Sequence, residues 1–78
     1  MSLKEFLENI GIDEEWRVQY YSSDNADTVV VFNTGEDDSI TEEELIKQYG
    51  NRRVETMFID TVRRYYKDYP QIVLEIEE

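Results

Sequence analysis

The sequence predicts a small α+β domain in which a three-stranded antiparallel sheet, a hairpin plus a C-terminal strand, packs against two or three helices in the order α-β-β-α-α-β. Three observations carry that expectation. Trp16 to Tyr21 and Leu74 to Glu77 alternate with period two, whereas Leu3 to Ile10 and Val54 to Tyr69 repeat apolar residues every three or four positions. Thr28 to Phe32 is dense in β-branched residues. No internal repeat, linker or low-complexity tract divides the chain, so residues 1–78 read as one domain with helices on one sheet face.

The elements follow in order. Ser2 and Glu5 are spaced as a capping box, Leu3, Phe6, Leu7 and Ile10 share one helical face, and Gly11 is the natural stop. Trp16, Val18 and Tyr20 then face one side of a strand, with Arg17, Gln19 and Tyr21 on the other. Ser22 to Asp27 is turn chemistry, and the run Thr28-Val29-Val30-Val31-Phe32 returns antiparallel as a strand whose apolar density suggests a central position. Asn33 to Asp38 is a polar connection, with room for a short strand near Ser39 and Ile40. A second helix starts at Thr41, whose side chain can cap with Glu44 while Ile40 and Leu45 form a hydrophobic staple. Tyr49-Gly50-Asn51 ends it. The spacing of Val54, Met57, Phe58, Val62, Tyr65 and Tyr69 predicts a third helix running to Asp68, stopped by Pro70. Ile72 to Ile76 closes the sheet, its Glu75-Ile76-Glu77-Glu78 end reading as an edge guarded by charge.

Composition removes most chemistry. There are 19 acidic and 8 basic residues, a net charge of -11, and neither histidine nor cysteine. Disulfides, zinc and haem sites, thiol nucleophiles and imidazole acid–base catalysis are therefore closed to this chain. Ser22, Ser23 and Thr34 have no base partner in sequence. Asp24 to Asp27 and Glu36 to Asp38 are rich in oxygen, but they lack the ligand order and central glycine of a calcium loop. A paired-carboxylate hydrolase needs a cleft that a core of this size can hardly enclose. A non-enzymatic protein with no metal and no cofactor is the expectation. With 40% hydrophobic and 13% aromatic residues the chain can build a core rather than remain disordered. Its longest apolar run is Val29 to Phe32, against roughly 20 residues for a bilayer span, so no membrane association and a cytoplasmic location are expected.

The charge is unevenly spread. Residues 1–46 hold 13 acids and 2 bases, residues 47–78 hold 6 of each, and six bases fall between Lys47 and Lys67. Three acidic clusters stand out: Asp13-Glu14-Glu15, Glu36-Asp37-Asp38 and Glu42-Glu43-Glu44. The third has a local purpose, since acids in a first helical turn complement the helix dipole. For the other two the choice is between solvated loops and carboxylates presented to arginines, with which they form bidentate, charge-assisted bonds. Arg52-Arg53 and Arg63-Arg64-Tyr65-Tyr66-Lys67 interleave bases with aromatics, a pattern that can stack on nucleic acid, or can cover a helix face and balance the acids. The overall field opposes phosphate approach, so direct nucleic-acid binding is not expected.

A short opening helix (Leu3 to Ile10), a hairpin (Trp16 to Phe32), an acidic loop (Glu36 to Asp38), a helical pair (Glu42 to Lys67) and a closing strand resemble the small acidic anti-CRISPR proteins of phages and mobile elements. Some of these inhibit Cas9 by mimicking DNA. The resemblance implies that Glu36, Asp37 and Asp38, with Glu42 and Glu43, would occupy the arginine-lined surface that reads the PAM duplex. Asp13, Glu14 and Glu15 join them as candidate partner-binding residues on charge alone. The expected partner is a basic protein, such as a Cas nuclease or another DNA-binding protein. The alternative is a structural or regulatory domain that self-associates through a sheet edge or tyrosine surface, so that monomer and homodimer both stay open.

Overall fold

The computed structural model describes residues 1–78 and shows an α+β fold built from two helices and four strands: α1 Leu3–Asn9, β1 Glu15–Ser22, β2 Asp27–Asn33, α2 Glu42–Tyr49, β3 Val54–Arg64 and β4 Lys67–Ile76. Both helix starts form where the capping residues place them. The Glu5 N–H donates to Ser2 Oγ at 3.2 Å, and the Ser2 N–H returns to Glu5 Oε1 at 3.4 Å, completing the box. At α2 the Glu44 N–H donates to Thr41 Oγ1 at 3.2 Å, while the Glu44 carboxylate accepts the Thr41 hydroxyl instead of its backbone N–H. Gly50 caps this helix, and the position requires glycine because a Cβ there would overlap the Ile46 carbonyl oxygen. Its own carbonyl accepts the Lys4 N–H at 2.9 Å, which docks the turn after α2 onto the start of α1.

The sheet runs β2-β1-β4-β3 and is mixed. β1 and β2 form the expected antiparallel hairpin from Ser22↔Asp27 to Arg17↔Asn33, with a bulge at Val18/Gln19 that leaves Val31 as the additional residue. β4 lies parallel to β1 from Glu15↔Gln71 to Gln19↔Glu75, and β3 pairs antiparallel with β4 from Val54↔Ile76 to Arg64↔Lys67. The fold therefore corrects the expected three-stranded antiparallel sheet and the order α-β-β-α-α-β: the segment read as a third helix is β3, its turn and the start of β4. Ser39 and Ile40 form no strand, and Val29 to Phe32 lies on an edge strand rather than a central one. The C-terminal strand is interior, because β3 covers the side that was read as an edge guarded by charge. The parallel contact is a consequence of α2, which carries the chain over the sheet and so allows β4 to enter beside β1 in the same direction. Pro70 fits within β4 because pairing with β1 begins only at Gln71, so its missing N–H removes no bond to β1.

The two sheet faces are built differently. Under the helices, Leu3, Phe6, Trp16, Val18, Phe32, Leu45, Leu74 and Ile76 form one core, in which the rings of Trp16 and Phe32 pack tilted by 39° with centroids 4.5 Å apart. On the opposite face a polar layer joins all four strands. Arg17 donates to Gln71 Oε1 at 2.7 Å and to Asp60 Oδ2 at 2.9 Å, Gln71 donates to Asn33 Oδ1 at 2.8 Å, and Gln19 donates to Glu75 Oε2 at 2.9 Å. Gln71 is 1% exposed, so only this bonding makes its burial affordable. No buried side-chain nitrogen or oxygen lacks a partner. No helix is long and apolar enough to cross a membrane.

Candidate functional site

Glu15 opens β1 at one end of the sheet, and the backbone ties the Thr34 region to it. The Trp16 N–H donates to Thr34 Oγ1 and the Thr34 N–H donates to the Trp16 carbonyl, both at 3.1 Å. The loop that follows is folded tightly by its own polar groups. The Gly35 N–H donates to Asn33 Oδ1 at 2.9 Å, the Glu36 N–H to the Asn33 carbonyl at 3.2 Å, and the Asn33 N–H to Ser39 Oγ at 3.0 Å. These bonds consume the small polar side chains of the loop and leave Glu36, Asp37 and Asp38 exposed at its surface.

Arg64, at the end of β3, links the first two clusters. Its guanidinium donates to the Glu15 carboxylate and lies where a Cβ on Gly35 would stand. The bond to Glu15, with further attraction from Glu36, raises the Arg64 pKa above its ordinary value. The third cluster reaches the same end through α2: Glu42 borders a hollow of about 180 Å³ with Ile10, Gly11, Ile12 and Trp16, beside the segment that carries Asp13. Glu36 and Asp38 border a larger groove of about 500 Å³ along the outer side of β2, with Val30, Phe32 and Ile40.

The eight predicted site residues thus divide. Glu15 is half-buried and bonded, whereas Asp13, Glu14, Glu36, Asp37, Asp38, Glu42 and Glu43 are exposed and their side chains have neither ion-pair nor hydrogen-bond partners within the chain. No three of the carboxylates converge into a set that could hold a metal ion.

The basic stretch occupies a hairpin rather than a helix, and much of it is engaged. Arg52 lies over the rings of Tyr49 and Tyr20 at 4.9 and 5.4 Å, Arg63 donates to Asp68 at 3.3 Å, and Arg64 holds Glu15. Two features escaped the sequence reading. Tyr65 and Tyr66 form the β3–β4 turn with φ of 51° and 65° and are 91% and 93% exposed. Met57 and Ile59, 56% and 73% exposed, lie on the outermost strand. Five β-branched residues in eleven (Val54, Thr56, Ile59, Thr61, Val62) were the available signal for that strand. Comparison with protein-family models, curated proteins and solved structures finds no match, so the reading of this surface rests on its own geometry.

Proposed function

We propose that the protein is a non-catalytic binding protein that presents a carboxylate surface to a basic, nucleic-acid-binding partner. The observation that supports it is that seven of the eight candidate carboxylates, Asp13, Glu14, Glu36, Asp37, Asp38, Glu42 and Glu43, are exposed and have no ion-pair or hydrogen-bond partner within the chain. Such a surface carries its charge outward, where it can meet arginines in place of phosphates. The resemblance to acidic anti-CRISPR proteins makes a Cas nuclease the first partner to try, with the PAM-reading groove as the place occupied. Binding of this kind is steered by long-range attraction and weakens as salt rises.

The test is a binding series between about 50 and 500 mM salt, a range over which screening increases steeply, with a Cas nuclease and another DNA-binding enzyme as partners. Wild type should compete with duplex DNA, and replacing Glu36, Asp37 and Asp38 together by Ala should weaken binding most at low salt. Unchanged affinity in the triple variant would remove the loop from the site.

A further inference from the structure

We infer that the groove along the outer side of β2 receives a short extended segment of the basic partner, with an arginine head on Glu36 and Asp38 and an aliphatic residue beside it against Val30 and Ile40. The inference rests on the carboxylate reading above and gives that surface a specific ligand. β2 is the last strand on its side of the sheet, yet the chain closes most of its edge with its own groups. The Thr28 N–H donates to Asp27 Oδ1 at 2.8 Å. At the other end the Asn33 N–H donates to Ser39 Oγ at 3.0 Å, and the Asn33 carbonyl accepts the Glu36 N–H at 3.2 Å. Alternation from Thr28 turns the N–H and C=O of Val30 away from β1 as well, and they stand between the two closed ends. Such an edge offers one free rung, not a template for a whole strand. Val30 also borders the groove, so that rung and the groove form one place.

The choice of occupant comes from charge and from the two kinds of wall. The groove holds about 500 Å³, within the range of sites that take small ligands. Val30, Phe32 and Ile40 form its apolar side, and Val30 is 49% exposed. Glu36 and Asp38 form its charged side, neither has a partner in the chain, and no lysine or arginine borders the groove. Asn33 and Ser39, also at its border, already accept bonds from the Gly35 and Asn33 N–H groups. A phosphate is repelled by the two carboxylates. A wholly apolar segment would bury them without a counter-charge, which is costly. Arginine answers both walls, because its stem is aliphatic and its planar head presents several N–H donors to carboxylates. A lysine ammonium is a strongly hydrated point charge and fits less well. The free Val30 N–H and C=O take the main chain of the segment, which selects a peptide over a small organic cation.

The experiment is an NMR titration of the full chain with the acetylated, amidated pentapeptide Gly-Arg-Leu-Arg-Gly. The peptide is taken to about 5 mM, enough to reveal a millimolar complex, at about 50 and 500 mM salt. The amides of Val30, Phe32 and residues 36–40 should shift, while those of Met57 and Ile59 on the far edge stay in place. Glycine in place of the probe's leucine should weaken binding about fourfold or more at both salt concentrations, because the lost contact is apolar. Citrulline in place of both arginines should abolish it. Val30→Ser should reproduce the loss seen with the glycine probe, and Glu36→Gln with Asp38→Asn the loss seen with citrulline. Shifts confined to other surfaces, no shifts at all, or a glycine probe that binds as well as the leucine one would overturn the proposal. The probe comparison leaves the protein unaltered, so it decides the matter whatever Val30→Ser does to the strand. A basic protein that binds wild type and Val30→Ser equally, and loses affinity when Glu36, Asp37 and Asp38 become Ala, would remove the groove and leave the carboxylate surface standing.

Discussion

Replacing Tyr65 by Asn and Tyr66 by Gly should stabilise the protein. Both tyrosines hold left-handed backbone conformations, φ 51° and 65°, at the two central positions of a hairpin turn that favours Asn-Gly. An L-residue with a bulky side chain pays roughly 1–2 kcal/mol for that conformation. Their rings are 91% and 93% exposed, so almost no burial is lost when they are removed. Relief at two positions, less roughly 0.5–1 kcal/mol for the extra freedom of glycine in the unfolded chain, leaves a net gain of about 2 kcal/mol. In a domain of this size that corresponds to a rise in Tm of roughly 8–16 °C. Thermal and urea unfolding followed by circular dichroism measure it, and the urea midpoint should rise without a change in slope. A Tm that is unchanged or lowered would refute the reasoning, because the turn would then either not be strained or be held by contacts of the tyrosine rings.

Three further outcomes follow from the interior. Gln71→Ala should cost about 2 kcal/mol in urea unfolding, since it removes one hydrogen bond each from Arg17 and Asn33 in a buried layer, although Arg17 keeps Asp60 and Asn33 keeps the Gly35 N–H. Gly50→Ala should destabilise by roughly 1–3 kcal/mol, because the contact it makes is with the Ile46 backbone, which cannot step aside as a side chain can. The hydrogen bond from Arg17, followed by that from the Thr61 N–H, lowers the Asp60 pKa from its ordinary value. The folded pKa lies below the unfolded one, so the contribution of Asp60 is full above the unfolded value, about 3.9, and is lost as pH falls through the folded value. Unfolding measured between neutral pH and about pH 2, below the usual aspartate range, should show a smaller acid-side loss in Asp60→Asn.

What was legible in the sequence is what local chemistry determines. Ser2 with Glu5, Thr41 with Glu44, and the alternation of Trp16, Val18 and Tyr20 each fix an element without help from distant residues. β3 was not legible because it is an outer strand exposed on both faces, so no burial enforces alternation, and Met57, Phe58 and Ile59 stand in a row. Val54, Phe58, Val62, Tyr65 and Tyr69 then match a helical period by accident of spacing. Its turn was equally hidden, since Tyr-Tyr carries none of the composition of a tight turn. The candidate carboxylates are visible in the sequence as residues, but their placement on the fold is not. The tie between Trp16 and Thr34 extends the β1–β2 hairpin, whereas the placement of Arg64 depends on β4 lying parallel to β1, a long-range choice that no local pattern encodes.

That parallel choice also alters the meaning of the charge asymmetry. In sequence the acids precede the bases, which suggests two separate poles. In the fold, β4 begins beyond the first residue of β1, so the tip of the β3–β4 hairpin with Arg63, Arg64 and Lys67 stands beside the acidic end, not opposite it. Arg64 neutralises part of the surface proposed to meet a basic partner, and it does so from within the chain. Arg64→Gln keeps a donor for Glu15 and removes the charge. If the carboxylates meet a basic protein, this variant should associate several-fold faster at low ionic strength, with the gain vanishing near 1 M salt, where the screening length is about 3 Å. If the hairpin tip instead holds nucleic acid, the same substitution should weaken a mobility shift and leave association with a basic protein unimproved. Stopped-flow association over a salt series, beside circular dichroism to verify the fold, separates the two, because removing one cation moves them in opposite directions.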